Sequence, residues 1–191
     1  MISRFPRRSS IRLKDYDYAK PGAYFVTICV RKQECLLGSV INGEMKLNFY
    51  GNIVSKVWQC LFREYPYVHL DEWQIMPNHL HGIFVLRDYK KESQSDSIDG
   101  IKVKPVGRLL GAFKTVSTKK INAIRLMTGG PFWQRNFYEH VIRNEESLNR
   151  IRDYIMTNPQ RWELDKENPM AVGKDDFDLW LSTFNSKAEI N

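Results

Sequence analysis

Apolar positions along the chain recur with a period of two in some stretches and near 3.6 in others, and the switches between the two spacings mark the expected elements. Tyr24 to Arg31, YFVTICVR, is rich in β-branched and aromatic residues and follows Pro21-Gly22, so it predicts a buried first strand. GSVINGEMKLN places Asn42-Gly43 between two short alternating runs, the signature of a tight hairpin. From Phe49 to Tyr65 the apolar residues Ile53, Val54, Val57, Trp58, Leu61 and Phe62 fall at helical spacing, and Pro66 closes the segment. Leu70 to Met76 and Leu80 to Leu86 are strand-like runs joined through Pro77-Asn78. Pro105 to Met127 predicts an amphipathic helix with a basic outer face, ended by Gly129-Gly130-Pro131. Phe132 to Asn144 alternates as a last strand. Glu145 to Thr157 predicts a helix on the second face of the sheet, with Asn144 as N-cap and Pro159 as its stop.

Strand, hairpin, helix, strand, strand, helix, strand, helix is an α+β order. The simplest layering is an antiparallel sheet with helices packed on one face, close to a ferredoxin-like α/β sandwich. Residues 23–162 hold this domain. A basic arm, 1–22, precedes it, a polar loop over 88–104 is expected to be mobile, and an acidic tail, 163–191, follows. Within the tail, Phe177, Trp180, Leu181 and Phe184 are spaced to dock as one short helix.

Composition narrows the class. With 42% apolar and 13% aromatic residues in 191, the chain can build one domain with a core, and it has no run of about 18 apolar residues to cross a bilayer. The N-terminus lacks the apolar centre of a secretory signal, which points to the cytoplasm. Three cysteines without C-x-x-C spacing indicate neither a disulfide framework nor a thiolate zinc site; at least two are expected in the core.

The net charge of +7 is uneven. Residues 105–161 hold 10 Lys/Arg against 4 Asp/Glu, whereas residues 162–191 hold 3 against 7. A basic segment suits a polyanion, because neutralising phosphates releases counterions. Lys114, Lys119, Lys120, Arg135 and Arg143 are the candidate DNA contacts. Trp133, Phe137 and Tyr138 fit either the core or a platform for unpaired bases.

Two side-chain pairs carry the chemistry. His79 and His81, in MPNHLHGIF, stand two apart on an expected strand, so both imidazoles face one side and can share a metal ion. Tyr154 and Asn158 stand four apart on an expected helix and share a face. Two histidine ligands, one more oxygen ligand and a hydroxyl nucleophile suffice to break a phosphodiester, with Mg²⁺ or Mn²⁺ as the divalent ion. Each residue alone has a plainer use, as a core histidine, a packed aromatic or a helix stop. Only their joint occurrence favours a site.

MPNHLHGIF resembles the His-hydrophobic-His motif of the single-tyrosine HUH transposases. FWQRNFYEHVIRN followed by IRDYIMTNPQRW, with GAFKTVSTKKIN before it, is similar to the REP-associated tyrosine transposases within that group. The resemblance spans about Ala23 to Trp162. It implies a ferredoxin-like HUH endonuclease fold, His79 and His81 as metal ligands and Tyr154 as nucleophile. Asn158 falls in the place of a third ligand that is often glutamine in the wider group. It also implies cleavage of single-stranded DNA beside imperfect hairpins, leaving a 5′-phosphotyrosine and a free 3′-hydroxyl, by a monomer or a homodimer. A hydrolytic metal nuclease and a non-catalytic hairpin-binding protein are the alternatives.

Overall fold

The computed structural model describes residues 17–88 and 103–186, so most of the basic arm, the greater part of the 88–104 loop and the last five residues lie outside the described residues. Among the described residues six strands and four helices run in the order β1 (Gly22–Cys29), β2 (Gly38–Ile41), β3 (Glu44–Leu47), α1 (Phe49–Arg63), β4 (Val68–Ile75), β5 (His79–Leu86), α2 (Val106–Ile124), β6 (Tyr138–Ile142), α3 (Glu145–Thr157) and α4 (Asp176–Ser186). Short 3-10 turns cover Arg31–Gln33 and Asn158–Leu164. The main sheet has the order β4-β5-β1-β6 with every pair antiparallel. Setting the β2-β3 hairpin aside, the chain reads β-α-β-β-α-β, which is the ferredoxin-like arrangement.

Alternation along β1 builds two cores. Tyr24, Val26 and Ile28 face one side and join Trp58 and Phe62 of α1 and Leu110 and Phe113 of α2 in the larger cluster. Phe25, between them in sequence, faces the other side and packs with Ile83, Ile142, Ile151 and Tyr154. Thus α1 and α2 cover one face, α3 covers the other as the sequence implied, and α4 adds the buried Phe177 and Leu181 to the second core.

A turn, a close packing contact and a helix cap shape the outline. Asn42 and Gly43 both adopt positive φ, 53° and 75°, as the primed hairpin turn requires. Gly82 on β5 admits Trp58, since a β-carbon there would stand 2.6 Å from the indole. Asn144 caps α3 by accepting the Ser147 N–H at 2.8 Å, and Glu145 and Glu146 complement the helix dipole.

Some expected boundaries shift. Phe132 to Phe137 does not extend β6: only Trp133 bridges, to Val30. The carbonyls of Gln134, Arg135 and Asn136 are instead drawn to the Lys114 ammonium. β4 carries a bulge between Leu70 and Trp73, and α2 ends at Ile124, beyond which Leu126 takes φ 50°. Of the cysteines only Cys29 is in the core. Cys35 and Cys60 are exposed, correcting the expectation of two, because Cys60 falls on the outer face of α1.

Candidate active site and metal centre

Strand β5 presents His79 and His81 on the α3 face, both buried. Their Nε2 atoms lie 2.9 Å apart. At that distance either one nitrogen holds the proton between them, or both lone pairs face a shared cation. Asn78 settles the His79 tautomer. Its Nδ2 donates to the carbonyls of Gln33 at 3.0 Å and Glu167 at 2.6 Å, so its Oδ1 is the atom 2.8 Å from His79 Nδ1 and accepts that N–H. The Nε2 lone pair of His79 therefore points into the site. His81 is held by Thr27, its cross-strand neighbour, whose hydroxyl lies 2.9 Å from Nδ1.

Opposite the histidines stands Asp165, a residue the sequence reading did not single out. Its Oδ2 is 3.5 Å from His79 Nε2 and 3.9 Å from His81 Nε2, and the three ligand atoms lie within 4.8 Å of one another. Asp165 Oδ1 accepts the Glu167 N–H at 2.7 Å and Oδ2 accepts Asn158 Nδ2 at 2.9 Å. Burial, followed by repulsion from His81, pushes His79 down to about 3, so it is neutral. Burial would raise Asp165, but the imidazoles and the Asn158 amide outweigh it and hold the carboxyl below the usual range.

These residues fit a divalent cation. Two imidazole nitrogens and a carboxylate oxygen converge in a buried site, donor types that suit such an ion. Two nitrogens bound at right angles at about 2.1 Å would stand about 3.0 Å apart, close to the observed spacing. Asn158, fully buried, leaves its Oδ1 without a partner, a fourth donor atom and the second oxygen of the set.

Tyr154 brings its hydroxyl to 3.2 Å from His81 Nε2. Arg152, two residues earlier, forks onto Asp71 of β4 at 2.8 and 2.6 Å and fixes α3 against the sheet edge. The Tyr154 ring stacks on Phe177 at 3.7 Å and 8°, and the Arg161 guanidinium sits 5.3 Å from its centre. Burial, then Asp165, Asp178 and Asp175, push the phenol well above its ordinary pKa, and Arg161 opposes them. The resting hydroxyl is protonated.

The structure brings His79, His81, Tyr154 and Asn158 together, with Asp165 and Asn78 beside them. Lys119, Lys120, Arg135 and Arg143 are exposed. Lys114 is half-buried and already donates to backbone carbonyls, and burial lowers it to about 8. Trp133 donates its indole N–H to Ser117 Oγ at 2.8 Å within the core, which excludes it as a base platform.

No family model matches the chain. Among solved structures it is similar to a REP-associated tyrosine transposase bound to a REP hairpin, with a TM-score of 0.47 and 20% identity over 84% of this chain and 74% of that one. It is also similar to a protein of Deinococcus radiodurans R1 provisionally described as a transposase, with a TM-score of 0.45 and 13% identity over 75% and 95%. Both overlaps are partial, and the fold rests on the strand order and layers above. A Haemophilus influenzae protein described as uncharacterized is 38% identical over 165 residues, covering 83% of this chain and 92% of its own length. The chain belongs to the family of that Haemophilus influenzae protein.

Proposed function

We propose that the chain is a metal-dependent transposase-type enzyme that nicks and rejoins single-stranded DNA beside hairpins through a covalent bond to Tyr154. The observation that carries this reading is the Tyr154 hydroxyl standing 3.2 Å from an imidazole of a buried His79-His81-Asp165 cluster. The motif resemblance of the His-x-His strand and the tyrosine helix supports it independently.

In the proposed step the Tyr154 oxygen attacks phosphorus, the new O–P bond forms and the P–O3′ bond breaks. The phenolic proton passes, overall, to the departing 3′-oxygen. Rejoining is the reverse, with a 3′-hydroxyl displacing the tyrosine. His79, His81 and Asp165, with Asn158 Oδ1 as a further donor, would hold Mg²⁺ or Mn²⁺, which supplies positive charge to the scissile phosphate and to the developing phenolate. Asn78 and Thr27 orient the imidazoles. Arg161, beside the ring, favours phenolate over phenol. Tyr154 is 2% exposed, so a DNA strand reaches its hydroxyl only when Phe177 and the segment around it move off the ring.

That burial is also what a hydrolytic reading draws on, with water as nucleophile and Tyr154 only packed. Incubation with a labelled hairpin-bearing single strand separates the two. The proposal expects a DNA-linked protein band on a denaturing gel with Mn²⁺ and none in EDTA. Cleaved DNA without any linked protein would favour hydrolysis, and full activity in EDTA would remove the metal from the account. The proposed substrate places the enzyme in the cytoplasm at the nucleoid. No helix among the described residues is long and apolar enough to cross a membrane.

A further inference from the structure

We propose that the cleft between the Arg31–Gln33 turn and the end of α2 is a phosphate subsite for the single-stranded DNA arm that enters the metal site. This inference rests on the DNA-processing reading above.

The cleft has a volume of about 150 Å³. Arg31, Lys32 and Arg125 line it against a single acidic side chain, Glu34, over a floor that includes Val30 and Phe132. Among the described residues none of the three cations has an ion-pair partner. The cleft therefore carries an uncompensated charge of +2, which an anion can neutralise. A second cleft, against Tyr154, differs: Arg150 and Arg161 face Asp153 and Asp176 there, and Arg161 is already bonded to Asp175 at 3.2 Å. Charge alone directs a phosphate to the first.

The turn that builds the cleft is strained and tied to the catalytic cluster. Lys32 and Gln33 both have φ 58°, a left-handed conformation that two successive non-glycine residues rarely share. Their neighbours hold them there. Gln33 Nε2 donates to Glu167 at 2.8 Å, and the Gln33 carbonyl accepts from Asn78, the residue that orients His79. Val30, on the cleft floor, donates its N–H to the Asn78 carbonyl at 2.7 Å. One three-residue turn thus offers two cations to the cleft and its third side chain to the residues around the metal site. A single strand lying across the end of the sheet meets both.

The test compares wild type with an Arg31→Gln/Arg125→Gln double variant, using a fluorescent hairpin oligonucleotide with a single-stranded arm. The expected result is affinity at least tenfold weaker and a log-log salt slope smaller by about 1.4 for two lost single-strand contacts. Mn²⁺ affinity, measured by calorimetry without DNA, and adduct formation at saturating DNA should both match wild type. An Arg31→Lys/Arg125→Lys variant, which keeps the charge, should restore the slope. Unchanged affinity and slope in the glutamine variant, with adduct still formed, would overturn the subsite and leave the enzyme reading standing. Absence of adduct in wild type would overturn the enzyme reading, while the slope would still decide the subsite.

Discussion

His79 is held in place by its protein neighbours. Asn78 fixes its proton on Nδ1, burial keeps it neutral, and Nε2 faces His81 and Asp165. At 2.9 Å the two Nε2 atoms either share one proton or face a shared cation, and the Asp165 carboxylate lies 3.5 Å from His79 Nε2. Substituting Asp165→Asn keeps the shape and removes the charge, so Mn²⁺ affinity by calorimetry should fall at least about tenfold. Unchanged affinity in that variant would pass the third position to Asn158 Oδ1. The histidine pair was legible in the sequence because strands have a period of two, and Tyr154 with Asn158 because helices bring i and i+4 together. Asp165 was not. It is reached through a 3-10 turn opened by Pro159 and kinked at Arg161, where no periodicity survives, and it sits among the charges of what reads as a polar tail.

At the scale of elements, β5 does two jobs with opposite faces. His79 and His81 face α3, while Gly82, next in sequence and on the opposite face, leaves room for Trp58, which is fully buried between the sheet and α2. Gly82→Ala places a β-carbon against a rigid indole, and the cost expected from overpacking is about 1–3 kcal/mol. Chemical denaturation followed by tryptophan fluorescence would measure it; a stability loss below about 0.5 kcal/mol would mean that Trp58 is free to shift. Strands and helices with clean periodicity, β1, α1, β5 and α3, were legible nearly to their ends. The segment from Phe132 to Phe137 was misread because its alternation is real but its carbonyls are claimed by Lys114, a partner twenty residues back in sequence. Lys114 itself, expected on the DNA, is spent largely on that loop.

Over the whole molecule, the sheet has a packing face and a chemical face. The first buries α1 and α2; the second carries the ligands, α3 and α4, so the acidic tail is part of the site through Asp165 and Phe177. Lys119 and Lys120 are exposed on α2 and, under the proposed function, are candidate DNA contacts. Replacing both by alanine should lower the salt slope of binding by about 1 to 2 for any sequence. An unaffected slope would move the DNA to another face, with the basic arm around Arg7, Arg8 and Arg12, outside the described residues, as the next candidate.

In the proposed reaction Tyr154 becomes bonded to DNA. The most direct test is mass-spectrometric mapping of the protein after reaction with a hairpin-bearing single strand and Mn²⁺, alongside Tyr154→Phe and Tyr138→Phe. The nucleotide mass is expected on the peptide containing Tyr154. No adduct is expected from Tyr154→Phe, with DNA affinity nearly unchanged, and normal adduct from Tyr138→Phe. A modified peptide that lacks Tyr154, or adduct persisting in Tyr154→Phe, would contradict the proposed reaction.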